Sequence, residues 1–248
     1  MSISKNEIKR IRALSQKKFR DESGLFICEG EKLVSEALAS SFQVEAVYRL
    51  EDIGEEAMSR ISALSSPSPA LAVVRMPENR DRLSPEAAAA WLVSSGTGKD
   101  PVFLGLDGIK DPGNAGTIIR LSDWFGIDGI FASEGTVDIY NPKVVQATMG
   151  AVFRTRFIYT RLDRLCEILQ HERIPVYGTF LEGENIYKAP LPRGKAKMIV
   201  MGSESNGISA ETAARIDRKL YIPSFGNSGS ESLNVAVAAA VICSEFRR

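Results

Sequence analysis

Short, almost uninterrupted apolar runs recur through the second half of the chain: PVFLGLDGI, GIFA, FIY, IPVYGTF, MIVM and LYI. Amphipathic stretches separate them, and the pattern predicts helices over about 114–125, over NPKVVQATMG and over 162–171. Strands lacking polar alternation are buried on both faces, so this half reads as a parallel sheet with helices on both sides. The first half has shorter elements. Ser4 and Glu7 stand at capping-box spacing before a helix whose Ile8, Ile11 and Leu14 share a face. Strands are expected at 25–28 and 44–48, a helix between them from about Glu29 to Ser40, and Ile61–Leu64 and Leu71–Val74 frame the turn-rich SSPSPA. This portion reads as a small α/β layer. The pattern weakens from Met76 to Asp100, where Ser84-Pro85-Glu86 opens an alanine-rich helix, so the chain divides into residues 1–95 and 100–248.

The run from Lys219 to Phe246, KLYIPSFGNSGSESLNVAVAAAVICSEF, organises the rest. Ser228 and Glu231 have capping-box spacing, which predicts a helix start near Ser230, and the apolar stretch from Leu233 to Ile242 predicts a buried helix. Glycine-bearing loops follow strands at 107–116, 202–207 and 224–230. Ligands of parallel sheets sit beyond the carboxyl ends of the strands, and glycine lets a ligand approach the backbone. Taken one at a time the loops stay ambiguous: Asn114 is equally a helix cap, Arg120 equally surface charge, and Ser209 an N-cap for the next helix.

Formal net charge is zero, so any affinity for nucleic acid must come from a local patch. Lys9, Arg12, Lys17, Lys18 and Arg20, together with Lys5 and Arg10, make one near the N-terminus, with Glu7 the only acid before Asp21. The same stretch also fits a solvated helix face. Cys28, Cys166 and Cys243 are far apart among apolar neighbours and read as buried thiols of a reducing compartment. His171 is the single histidine and is expected to face solvent, which argues against a histidine base or a histidine-bearing metal site. No apolar run approaches the roughly 20 residues of a membrane span and the N-terminus is charged, so a cytoplasmic protein is expected. GTGK at 96–99 lacks the glycine and hydroxyl residue of a phosphate loop, and GSESNG is not a dinucleotide fingerprint.

In order and spacing, LDGIKDPGNAGTIIRLSDWFG, IVMGSESNGIS and YIPSFGNSGSESLNVAVAAA resemble the three motifs of the SpoU, or TrmH-like, RNA 2′-O-methyltransferases. KKFRDESGLFICEGEKLVSEAL resembles, more loosely, the small ribosomal-protein-like substrate-binding domain that often precedes them. The resemblance implies a catalytic domain with a C-terminal trefoil knot, S-adenosylmethionine as methyl donor, a ribose 2′-hydroxyl as acceptor, and a homodimer. It implies ribosomal RNA before transfer RNA as partner, and no metal. Carried over by motif, Asn114 and Arg120 match the catalytic pair, Glu204, Ser232 and Asn234 the remaining polar positions, and Gly202, Ile222 and Leu233, with Thr179, the donor pocket. A transfer RNA methyltransferase or a non-catalytic RNA-binding protein of the same fold are the alternatives. The motif-three loop is longer than usual between Pro223 and Ser232, and Leu121-Ser122-Asp123 replaces the commoner small residues after the arginine.

Overall fold

The structure, a computed structural model, describes residues 3–77, 82–95, 100–226 and 232–248. In chain order these form α1 (Lys5–Ala13), α2 (Lys17–Ser23), β1 (Leu25–Glu29), α3 (Glu31–Ala39), β2 (Val44–Arg49), α4 (Leu50–Ile53), α5 (Glu55–Ile61) and β3 (Ala70–Arg75). There follow α6 (Pro85–Ser95), β4 (Val102–Asp107), α7 (Pro112–Trp124), β5 (Gly129–Ala132), α8 (Pro142–Thr148) and a 3-10 turn at Ala151–Phe153. The last elements are β6 (Phe157–Tyr159), α9 (Leu162–His171), β7 (Val176–Asn185), β8 (Lys197–Gly202), α10 (Ala210–Ala213), β9 (Arg218–Tyr221) and α11 (Val235–Arg247). β5, β6 and α9 have the bounds the apolar pattern predicts. The helices α4 and α5 were not legible in it, and Ile61 closes α5 with its side chain in the core.

Two compact units result, Met1–Glu78 with Asp138–Arg154, and Asn79–Val137 with Thr155–Arg248. In the first, the described strands pair antiparallel in the order β1-β3-β2. One face of that sheet packs Leu25, Ile27, Leu71 and Val73 against Ile8, Ile11 and Leu14 from the N-terminal segment and Met58 and Ile61 of α5. Ser4 caps α1 by accepting from the Glu7 amide at 3.2 Å, whereas the Glu7 carboxylate turns to Arg10 and Tyr48 instead of closing the box. Residues 138–154, in the second half of the sequence, belong to this unit because Phe26 packs on Tyr140 at 4.7 Å and near Phe153 at 6.3 Å. Arg20 and Asp138 pair at 2.6 Å in the same region.

In the second unit six described strands run parallel in the order β6-β5-β4-β8-β7-β9. Phe103, Phe131, Met198 and Val200 face a core shared with α6 and α9. Residues alternate across a strand, so Leu104 and Ile199 point to the opposite side, where α7 and α11 pack on each other and touch the sheet. Helices therefore cover both faces, as the strand composition implies. β7 and β9 pair in two segments with a register shift between Thr179 and Glu184.

Two details of the C-terminal run differ from the sequence reading. The Ser228–Glu231 pair lies outside the described residues, and α11 starts at Val235 with Asn234 as its N-cap, its Oδ1 accepting from the amides of Ala236 at 2.9 Å and Val237 at 3.3 Å. The helix is not buried all round: Ala236, Ala239, Ile242 and Cys243 are, while Val237 is 52% exposed. Alanines let one side pack closely on α7 and leave the opposite side in solvent.

Candidate active site

β4 ends at Asp107 and its neighbour β8 ends at Gly202, the two residues being register partners. Both strand ends open into loops that the backbone folds tightly. Beyond β8 the chain turns back on itself, the Ser203 amide donating to the Gly207 carbonyl at 3.0 Å and the Gly207 amide to that of Ser203 at 2.9 Å. A Cβ on Gly202 would lie 2.1 Å from the Gly207 carbonyl carbon, so only glycine allows the return, and Gly207 at φ +65° completes it. The effect is to present Glu204 at the tip. Asp107, only 8% exposed, anchors the far end of this loop by accepting from the Ser209 amide at 2.9 Å and its hydroxyl at 2.6 Å. Ser209 occupies the N-cap position of α10 as expected, though its side chain makes no cap hydrogen bond and its hydroxyl donates to Asp107.

After β4, Asp111 rather than Asn114 caps α7, its Oδ1 accepting from the Asn114 amide at 2.8 Å, and Pro112 supplies the first helical residue. The side chain of Asn114 is thereby free for longer contacts. Its Nδ2 donates to Glu204 Oε1, and its Oδ1 accepts from Nδ2 of Asn234 at 2.9 Å. A directional chain results. The first amides of α11 donate to Asn234, Asn234 to Asn114, and Asn114 to the Glu204 carboxylate, so each amide group has its oxygen and nitrogen ends assigned by its neighbours.

Of the remaining expected residues, Arg120 lies six positions beyond Asn114 on α7, about 9 Å along the helix. It is exposed and makes no hydrogen bond or ion pair with another described residue. Ser232 is likewise exposed, two residues before the cap of α11. Thr179 stands at the register shift of β7 with its hydroxyl donating to the Val200 carbonyl at 3.3 Å. Ile222 is one residue past β9 and Leu233 two before α11, so their amides lie outside both ladders, and the Leu233 side chain is 51% exposed. Gly202, Ile222 and Thr179 thus share the carboxyl edge formed by β7, β8 and β9.

The basic residues near the N-terminus divide. Lys9 and Arg12 are exposed on α1, and Lys17 and Lys18 on α2 pair with Asp21 at 2.6 Å and Glu22 at 3.9 Å. Arg20 is a correction to the expected phosphate-contacting set. It is 1% exposed, and its guanidinium donates to the Leu14 and Ser15 carbonyls at 2.8 and 3.0 Å and to Asp138. Sequence reasoning missed Asp107 and Asp111; Asp111-Pro112 is a legible cap and first-turn pair, whereas nothing in the sequence marks Asp107 as the anchor of a loop so far along the chain.

The three cysteines are buried, as expected, and burial pushes the thiols of Cys28 and Cys243 up to about 12 and that of Cys166 higher still. His171 is exposed at the end of α9. No group of three or more histidine, cysteine, aspartate or glutamate side chains suited to a metal exists among the described residues.

A doubly covered parallel sheet whose carboxyl edge carries an Asn–Asn–Glu chain drawn from three loops defines an α/β protein with a candidate ligand site at that edge. Residues 101–244 match the SpoU rRNA Methylase family and residues 5–73 the MRM3-like substrate binding domain. The chain belongs to the SpoU rRNA methylase family. It is 30% identical over 261 residues to the 23S rRNA (guanosine(2553)-2′-O)-methyltransferase RlmP of Bacillus subtilis, covering 99% of this chain and 98% of that one. Among solved structures, it resembles a protein assigned to the TrmH family of RNA methyltransferases from Porphyromonas gingivalis, with 36% identity, a TM-score of 0.83 and coverage of 100% and 99% of the two chains. The AdoMet-bound rRNA methyltransferase of Sinorhizobium meliloti is 27% identical with a TM-score of 0.82, covering 100% of this chain and 96% of that one.

Proposed function

We propose that this protein transfers a methyl group from S-adenosylmethionine to a ribose 2′-hydroxyl of ribosomal RNA. The observation that carries the reading is the Asn234–Asn114–Glu204 chain, which joins all three motif loops at the carboxyl edge of the sheet. The names of the relatives, a 23S rRNA guanosine 2′-O-methyltransferase and an AdoMet-bound rRNA methyltransferase, support both substrate and donor. The second unit carries the reaction and the first recognises RNA, with Lys9, Arg12, Lys17 and Lys18 contacting phosphates.

The edge fits the donor in chemistry. Amides outside the ladders at Ile222 and Leu233 suit the polar edge of an adenine, the Leu233 side chain supplies apolar surface, and Gly202 and Thr179 border the same edge. S-adenosylmethionine supplies an electrophilic methyl carbon on a sulfonium. The chain's own residues act by placement: aligning the ribose oxygen for in-line attack removes several kcal/mol, up to roughly 10, from the barrier. A guanidinium stays charged and is a poor base. Arg120 therefore orients the hydroxyl and its neighbouring phosphate, Asn114 of the same motif and Glu204 of the second hold the ribose, and the hydroxyl proton passes to water as the oxygen takes the methyl group. Ser232, exposed before the cap of α11, adds a hydroxyl donor or acceptor on the same side.

The finer features of the reading are a C-terminal trefoil knot, a homodimer and a cytoplasmic location. The return of α11 onto α7 and β8 supports the first. Half-exposed Val237 on α11 and the 83% exposed Trp124 on α7 offer apolar surface for the second. For the third, no described helix is long and apolar enough to cross a membrane.

The test is transfer of labelled methyl from S-adenosylmethionine to unmodified ribosomal and transfer RNA in separate pools, wild type beside Arg120→Ala. Label in ribosomal RNA that the variant loses is the expected result. Label confined to transfer RNA reverses the substrate, and a protein that binds RNA but no donor is a binding protein, not an enzyme.

A further inference from the structure

The first unit contains a pocket of about 280 Å³ lined by Ile27, Glu29, Leu64, Pro142, Lys143 and Gln146, with Ala63 and Ala147 completing the wall. It draws on the end of β1, the segment after α5 and one side of α8, all within that unit. Its walls are mainly apolar, its size suits one small planar ligand, and its lining includes Glu29, a residue only 4% exposed. Glu29 Oε2 accepts from the Ser62 hydroxyl at 2.6 Å and Oε1 from the Ala63 amide at 2.7 Å. Each carboxylate oxygen offers two lone-pair directions, so each keeps one after these bonds. Both oxygens are also held in a fixed orientation, which a lone glutamate on a surface would not be.

We infer that this pocket receives the base of an unpaired guanosine of the RNA and reads its Watson–Crick edge through Glu29. The inference rests on the reading that the chain acts on RNA. An anion is disfavoured by the buried carboxylate, and a free cation by the Lys143 ammonium that shares the lining. A neutral heterocycle carrying its own phosphate suits both, with Lys143 left for the phosphate. Among the bases only guanine presents two adjacent donors, N1–H and the 2-amino group, to match two carboxylate oxygens. Adenine and cytosine place a ring acceptor beside their amino group, and uracil has a single N–H between two carbonyls. Each would set an acceptor against a carboxylate oxygen, and an unmatched buried polar group costs more than the bond it replaces. Leu64 and Pro142 provide apolar faces for the ring, and the Gln146 amide can serve its O6 or N7. Sequence-specific contacts to RNA commonly take this form, an unstacked base bonded along its edge in a protein pocket. The recognised guanosine is a docking base, and its position relative to the methylated ribose is no part of the inference.

The experiment uses the full chain and single-stranded RNA oligonucleotides of equal length, alternating uridine with guanosine, alternating uridine with adenosine, or uridine alone. The wild type should bind the guanosine oligonucleotide roughly five-fold or more tightly than the other two, the discrimination of one good bidentate contact. Leu64→Trp fills the pocket from a side chain that is 38% exposed, so folding tolerates it, and should bind all three at the uridine level. Glu29→Gln, its fold checked by thermal unfolding, should lose the same preference by turning one acceptor into a donor. Equal binding of all three by the wild type, or a preference that survives in Leu64→Trp, overturns the pocket assignment and leaves the RNA reading standing. If none of the three binds, the RNA reading itself falls, and this inference with it.

Discussion

Asn234 donates its side-chain amide to Oδ1 of Asn114 at 2.9 Å, joining residues 120 positions apart, while the other end of Asn234 caps α11. One side chain thus fixes the start of the last helix and the polarity of the site. Asn234→Asp keeps the cap oxygen and loses the donor, and it sets a second carboxylate near Glu204. Its melting temperature should stay within a few degrees of wild type while kcat/KM for methyl transfer falls at least ten-fold. Asn234→Ala should lose both, with about 1 kcal/mol of stability going with the cap. Equal activity of Asn234→Asp and wild type would remove the amide chain from the mechanism.

Arg120 is exposed and without a partner among the described residues, so replacing it costs the fold little. Arg120→Lys keeps the charge but not the planar fork. RNA affinity should stay within about two-fold and methyl transfer should drop roughly a hundred-fold, the scale of lost positioning. Single-turnover methylation beside filter binding separates the two. Retained activity would show that any cation suffices there.

Gly202→Ala places a methyl group 2.1 Å from the Gly207 carbonyl carbon, where backbone on both sides leaves no room to yield. Forced overpacking of this kind costs about 1–3 kcal/mol. Urea unfolding should register it, and calorimetric donor binding should weaken because the loop that carries Glu204 opens.

Arg20 and Lys9 lie close in sequence and should behave oppositely. Arg20→Ala strands Asp138 and two carbonyls, so stability should fall by about 3 kcal/mol. Lys9→Ala should leave stability within about 0.5 kcal/mol. In return it should weaken RNA binding and lower the slope of log affinity against log salt by about 1.

The buried thiols set an alkaline limit. Burial raises Cys28 and Cys243 to about 12 in the folded chain, against about 8.5 when unfolded, so unfolding releases thiol protons once the pH passes the lower value. Their contribution is complete below about pH 8.5 and declines as pH rises toward 12, by at most about 1.4 kcal/mol per thiol per pH unit. Urea midpoints measured from pH 8 to 10 should fall, and Cys243→Ala should make the fall shallower. A thiol reagent at pH 8 should label these cysteines only after unfolding.

Much of the fold was legible because buried strands leave a local trace. GIFA and FIY declare themselves as apolar runs and 162–171 as an amphipathic stretch, and β5, β6 and α9 have those bounds. Asn114, Glu204 and Asn234 could be picked out as polar residues within three spaced motifs. Their bonds to one another could not, since contacts across 90 and 120 positions depend on which strand ends the sheet brings side by side.

By itself the sequence determined the strands and the doubly covered sheet, which follow from local composition and spacing, and its resemblance to the SpoU motifs marked the candidate site residues. Tertiary structure decided what each polar group does. Arg20 reads as one more cation in a basic run, yet it is buried with its donors committed to Leu14, Ser15 and Asp138. Glu29 reads as the start of a helix, yet it closes β1, and the segment after α5 bonds its carboxylate beside a pocket that Glu29 helps to line. Burial and hydrogen bonding arise between segments distant in the chain, so no local pattern records them.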